Sequence, residues 1–164
     1  MILNIENAVQ KSLRLKENSK RIVTINGSFD LIHAGHIRSL KFAKEQGDVL
    51  FLGLNSDKSV KSYKSPHRPI LPQNQRAEIL SAIRYVDYII ILDEPDISVP
   101  LLRAICPNVH VDSIEYKNNT SMINVINELN IELVLLPKYE DISTTNIIKK
   151  IVDTYNKEGL GHCR

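Results

Sequence analysis

At 164 residues, with a net charge of +2 and charged side chains at 24%, the chain has the size and composition of one ordinary globular domain. That balance excludes a disordered chain and a nucleic-acid coat, and with aromatics at 5% no basic stripe interleaved with aromatics appears. The longest apolar runs, 88–92 and 131–137, fall far short of the roughly 20 residues a membrane span needs, and 1–20 lacks the pattern of a secretory signal. The expected address is cytoplasmic.

Taken in chain order, residues 4–15 set Ile5, Val9, Leu13 and Leu15 at approximately helical spacing, and the polar stretch 16–20 follows as a linker. A short β-branched strand at 21–26 ends at Gly27, and a helix at 36–46 carries Ile37, Leu40 and Phe42 before Gly47. The alternation continues with strand 49–54, a loop at 59–72 marked by its length and prolines, helix 73–83, strand 88–92, helix 98–105, strand 108–111 and helix 121–129. A final strand at 131–136 leads to a helix at 144–156, and 158–164 forms a polar tail. Near-continuous apolar strands alternating with helices predict an α/β fold: a Rossmann-like doubly wound parallel sheet in a single domain spanning 21–157. Cys106 and Cys163 show no metal-ligand spacing, and Cys106 reads as a buried small hydrophobe.

In such a sheet, ligands bind beyond the carboxyl ends of the strands. The segment 26–36, Asn26-Gly27-Ser28-Phe29-Asp30-Leu31-Ile32-His33-Ala34-Gly35-His36, follows the first of these strands and opens a helix, whose free N–H groups attract anions. His33 and His36, three apart, project from one side, and Gly35 removes the side chain that would hold a phosphate off the backbone. A second candidate phosphate cradle is the run Ser143, Thr144, Thr145 at the last helix, where the plain alternative is an N-cap. Two cradles suit a triphosphate. Lys61, Lys64, Arg68 and Arg76 add positive charge around the loop at 59–72.

These motifs resemble those of the HxGH nucleotidyltransferases, a cytidylyltransferase-like superfamily, and most of all the adenylyltransferase domain of bacterial ADP-heptose synthases. The resemblance rests on Lys20 through Gly27, Asp30 through His36, Gly53-Leu54-Asn55-Ser56-Asp57, Arg68-Pro69, Gln75-Arg76 and Ser143 through Ile148, and so covers nearly the whole chain. It implies an ATP-dependent adenylyltransferase acting on a sugar phosphate such as heptose 1-phosphate, with pyrophosphate released. It further implies that His33, His36 and Arg76 serve catalysis. Asn26, Gly27, Ser28 and Phe29 would line the nucleotide pocket, with Ser143, Thr144 and Thr145 on the outer phosphates. Lys61, Lys64 and Arg68 are the candidates for the acceptor phosphate. Phosphoryl chemistry calls for Mg²⁺ carried with the triphosphate, with no protein ligand assigned. Relatives commonly form dimers, so a homodimer is expected by analogy.

Two departures keep alternatives open. Asp112-Ser113-Ile114-Glu115-Tyr116 stands where the heptose enzymes carry Lys-Gly-Gly-Asp-Tyr, exchanging a cation for an anion. The stretch Arg84-Tyr85-Val86-Asp87 looks more like that of glycerol-phosphate and choline-phosphate cytidylyltransferases, which makes CTP with an alcohol phosphate the main rival. A non-catalytic nucleotide-binding module is the third reading.

Overall fold

The computed structural model describes residues 1–116, 118–137 and 143–157. Six parallel strands form one sheet: β1 (Ile2–Leu3), β2 (Ile22–Gly27), β3 (Val49–Asn55), β4 (Tyr88–Leu92), β5 (Val109–Asp112) and β6 (Glu132–Leu135), in the order β1-β4-β3-β2-β5-β6. Helices α1 (Ile5–Glu17), α2 (Ala34–Lys44), α3 (Asp57–Tyr63), α4 (Gln73–Ser81), α5 (Ser98–Ile105), α6 (Thr120–Glu128) and α7 (Thr144–Lys157) connect or flank them, with one 3₁₀ turn at Ile114–Tyr116.

The strands are short runs of β-branched and aliphatic residues whose alternate side chains face opposite layers. Val23, Ile25, Leu50, Leu52, Leu54 and Ile89 pack with Leu40 and Ala43 of α2 and Ala77 and Leu80 of α4. From the other face Ile22, Phe51 and Ile90 meet Ala8 of α1 and Leu101 and Ile105 of α5. Both faces are covered, which is the doubly wound arrangement. Each fully buried aliphatic contributes about 1.5–3 kcal/mol relative to exposure.

Chain order fixes where a ligand fits. From β2 the chain steps outward to β3 and β4, then returns to place β5 on the other side of β2. The connections diverge between β2 and β5, leaving a crevice over the carboxyl ends of those strands.

Three local findings differ from the expectations. The N-terminal segment holds the expected helix, α1, packed on the domain through the buried Ala8 and Ser12, whose Oγ donates to Ile105 O at 2.6 Å, and adds an unexpected strand, with Ile2 and Leu3 paired to β4. The first half of the expected loop at 59–72 is helix α3, because Ser56 caps it by accepting from Ser59 N and Val60 anchors it in the interior. Cys106 is half-buried at the end of α5, in the left-handed region with φ 45°, so its burial is less than expected. Cys163 and the tail at 158–164 lie outside the described residues.

Candidate active site

A cavity of about 490 Å³ occupies the crevice, within the range of small-molecule sites. Asn26 and Gly27 at the end of β2, Ser28 and Phe29 just after it, and His36 of α2 form one wall. Asn55, Tyr63 and Lys64 close a second side, and Asp96, Asp112, Ser113 and Asn119 face in from the starts of α5 and α6 and the end of β5.

The first wall is built around the turn into α2. His33 is the N-cap, with extended backbone, and its Nδ1 accepts from His36 N at 3.4 Å. In the neutral ring this leaves the proton on Nε2. The two imidazoles stack with centroids 3.7 Å apart and planes 20° from parallel, so both lie on one side of the helix start, as their spacing predicts. Phe29 packs its ring 5.1 Å from His36 from a backbone at φ 41°, a left-handed conformation rarely adopted outside glycine. Gly27 makes room for that ring, since an added Cβ would sit 3.1 Å from it. His36 lines the cavity, whereas His33 is not among its lining residues and meets it through the stacked ring.

Burial, then the nearby His33 and Lys64, push the His36 pKa down to about 3, against a smaller upward pull from Asp30. Burial lowers His33 as well. Both rings are therefore neutral at physiological pH. Each offers one N–H, and an arriving phosphate would favour their protonation. His36 Nδ1 is buried and has no hydrogen-bond partner among the described residues.

Of the expected acceptor-phosphate cations, the structure brings one to the cavity. Lys64 lines it and donates to Ser28 Oγ at 3.1 Å, with its pKa lowered by desolvation and by Arg68, partly offset by Asp30. Lys61 is exposed on α3, away from the cavity lining. Arg68 is committed to Asp30, a fully buried carboxylate that also accepts from Ile70 N at 2.8 Å and Leu71 N at 3.0 Å. Burial would raise the Asp30 pKa, but the Leu71 and Ile70 amides and the Arg68 guanidinium outweigh it and hold the group ionised below the usual range.

Arg76 is fully buried and does not line the cavity. Its guanidinium donates to Leu71 O, Ser28 O and Asn55 O at 2.9, 2.6 and 2.8 Å, and to Asp57 Oδ1 at 2.7 Å. In this arrangement it is a positioning residue that ties three segments of the rim together, a role its charge in the sequence did not disclose.

Gly35 is buried in the first turn of α2. At α7, Ser143 Oγ accepts from Asn146 N at 3.1 Å, the ordinary N-cap bond; Thr144 is buried and Thr145 exposed. None of these three hydroxyl residues lines the cavity. Residues 138–142 just before them lie outside the described residues.

Sequence reasoning did not place Asp96 or Asn119 in the site, although each lies just past a strand or at a helix start, where the strand-end rule points. The stretch Arg84-Tyr85-Val86-Asp87 sits at the opposite edge. Asp87 Oδ2 accepts from Leu50 N at 2.7 Å and Lys44 Nζ at 2.6 Å ahead of β4, and Arg84 lies over the Tyr85 ring at 5.0 Å.

Comparison with known proteins converges on this geometry. Residues 24–150 match the family model described as cytidylyltransferase-like. The chain is 40% identical over 160 residues to the bifunctional protein HldE of Campylobacter concisus, covering 94% of this chain and 33% of that one. It is 36% identical over 143 residues to HldE of Syntrophotalea carbinolica, covering 87% and 29%. The chain thus spans about a third of the length of these curated relatives. Among solved structures, a lipopolysaccharide core biosynthesis protein of Thermoplasma volcanium aligns with TM-score 0.63 at 27% identity, over 74% of this chain and 99% of that one. A pantoate-beta-alanine ligase of Francisella tularensis shares the fold, with TM-score 0.61 at 16% identity over 96% and 78%. With its histidine-bearing turn in the β2–β5 crevice and the family match running from β2 into α7, the chain belongs to the cytidylyltransferase-like family and is a nucleotidyltransferase.

Proposed function

We propose that the chain transfers AMP from ATP to a sugar phosphate resembling heptose 1-phosphate and releases pyrophosphate. The observation that carries this reading is the stacked His33–His36 pair at the start of α2, whose His36 lines the same cavity as Lys64. The relatives named HldE and the neighbour named for lipopolysaccharide core biosynthesis support a saccharide acceptor.

In the reaction, an oxygen of the acceptor phosphate attacks the α-phosphorus in line. A new P–O bond forms there, the bridging bond to the β-phosphate breaks, and its electron pair leaves with pyrophosphate. No protein nucleophile is needed; catalysis rests on positioning and charge stabilisation. In this reading the His36 N–H, the stacked His33 and the amides opening α2 would meet phosphate oxygens as their charge develops. Lys64, poised on Ser28, supplies the fixed positive charge. We assign Ser143, Thr144 and Thr145 to the outer phosphates by resemblance. Mg²⁺ bound to the triphosphate would neutralise part of its charge. Imidazoles, amides and an ammonium suit phosphate oxygens and not the ion itself, and among the described residues no group of three or more His, Cys, Asp or Glu side chains could hold a metal.

The test is pyrophosphate release with Mg²⁺, using ATP and CTP separately against heptose 1-phosphate, glycerol 3-phosphate and choline phosphate. Turnover with ATP and the heptose phosphate is expected. Turnover only with CTP and an alcohol phosphate overturns the assignment of base and acceptor, and nucleotide binding without turnover on any pair would make the chain a binding module.

A further inference from the structure

The cavity has two electrically different walls. The α2 side carries His36, and Lys64 reaches the same side by donating to Ser28 Oγ. The opposite side offers acceptors. Asp112 closes β5 with its side chain 8% exposed, and its Oδ1 accepts from Ser113 N at 2.7 Å. Its Oδ2 meets no hydrogen-bond donor among the described residues: His110 Nε2, 3.8 Å away, is too far. His110 is itself fully buried, held through Nδ1 at 2.9 Å from Thr24 Oγ1, with no partner for Nε2 among the described residues. Beside it Ser113 Oγ, and on the first wall Asn26 Oδ1, are buried and unpartnered among the described residues.

Asp96 also lines the cavity, and its carboxylate takes a 2.7 Å bond from Asn119 Nδ2 and a 2.9 Å bond from Ser98 N. A carboxylate that lines the cavity with one oxygen free to accept repels a phosphate and favours a donor. Substrate phosphates therefore belong on the α2 side, and whatever reaches the β5 side must be uncharged or cationic and carry hydroxyl or amino hydrogens.

We propose that Asp112 is a specificity-determining residue, whose free Oδ2 accepts a hydrogen bond from a hydroxyl or amino group of the bound substrate while its charge excludes phosphate from that end of the cavity. This rests on the nucleotidyl-transfer reading and deepens it. The donor belongs either to the nucleoside or to the phosphorylated acceptor, and one experiment separates the two.

Asp112→Asn keeps the size of the side chain and an oxygen for Ser113 N. Pyrophosphate release is measured for the native chain, Asp112→Asn and Asp112→Ala with nucleotide and acceptor varied in turn. Calorimetric binding of ATP, CTP and each acceptor is measured beside it, thermal melting checks folding, and Asp87→Asn serves as a control at the far edge of the sheet. Losing a charged hydrogen bond is expected to weaken one substrate roughly 10- to 100-fold, in KM more than in kcat, with the control unchanged. A shift in nucleotide binding identifies the nucleoside as the donor, and a shift confined to the acceptor identifies the acceptor. Removing that hydroxyl or amino group from the substrate should then abolish the difference between native and variant chains. If Asp112→Asn leaves binding and KM of both substrates within about threefold, or tightens them, the proposal fails. Turnover with no Asp112 effect breaks this proposal alone; an Asp112-dependent affinity without turnover breaks the transfer reading alone.

Discussion

The two edges of the sheet use charge differently. At the carboxyl edge, Asp30 and Arg76 are fully buried and bind mostly to backbone groups, fastening the rim segments around the cavity. At the amino edge, Asp87 and Lys44 form a pair with side chains 34% and 26% exposed, beside a single strand amide, Leu50 N. A buried charge is costly unless every group around it is matched, so it persists where it shapes something. A half-exposed pair contributes little and needs no such context.

Variants at the two edges should therefore differ in size of effect. The largest is expected for Arg76→Ala, which leaves the carbonyls of Ser28, Asn55 and Leu71 and the Asp57 carboxylate without their donor. Urea unfolding should show a loss of about 3–5 kcal/mol, and a loss below about 1 kcal/mol would mean the rim holds without it. His36→Ala should lower turnover by about 10² to 10³, equivalent to roughly 2.7–4 kcal/mol of transition-state stabilisation, while leaving unfolding far less affected than Arg76→Ala does. Full turnover in that variant removes His36 from the chemistry.

A smaller effect follows from the His36 pKa. The folded chain keeps this ring neutral down to about pH 3, whereas the unfolded chain protonates it near the ordinary 6.5. Between those values the unfolded state binds the extra proton, so stability falls as pH drops, by up to about 1.4 kcal/mol per pH unit from this group. His36→Asn should flatten that part of the profile. In the opposite sense, a triphosphate favours the protonated ring, so nucleotide binding should take up protons and tighten from pH 8 to pH 6, read as a buffer-dependent binding enthalpy. The smallest effect belongs to Asp87→Asn, about 1 kcal/mol in unfolding with turnover unchanged; a large loss of activity there would end the contrast between the edges.

The alternation of apolar strands and helices was readable because period and polarity agree over each long element, and the site's location followed from strand direction. What escaped had non-local or weak causes. β1 has two residues and gains its meaning from β4, more than eighty positions away. In α3, DKSVKSY has one aliphatic residue, Val60, too little to show a helical stripe, so the Ser56 cap decides it. The charge of Arg76 was visible, but its partners come from three separate segments that only the fold assembles. The stretch 84–87 stood out by its resemblance to the cytidylyltransferases and lies at the wrong end of its strand to meet the cavity.

The Asp30 latch also makes a kinetic statement about the backbone. Ile70 and Leu71 belong to no helix or strand, yet their amides are bonded to a carboxylate sealed from water. Their hydrogens should trade with deuterium at rates typical of the sheet and not of a loop, since both must wait for that carboxylate to let go. Two slow amides in an irregular segment then become a clock for how often the rim opens.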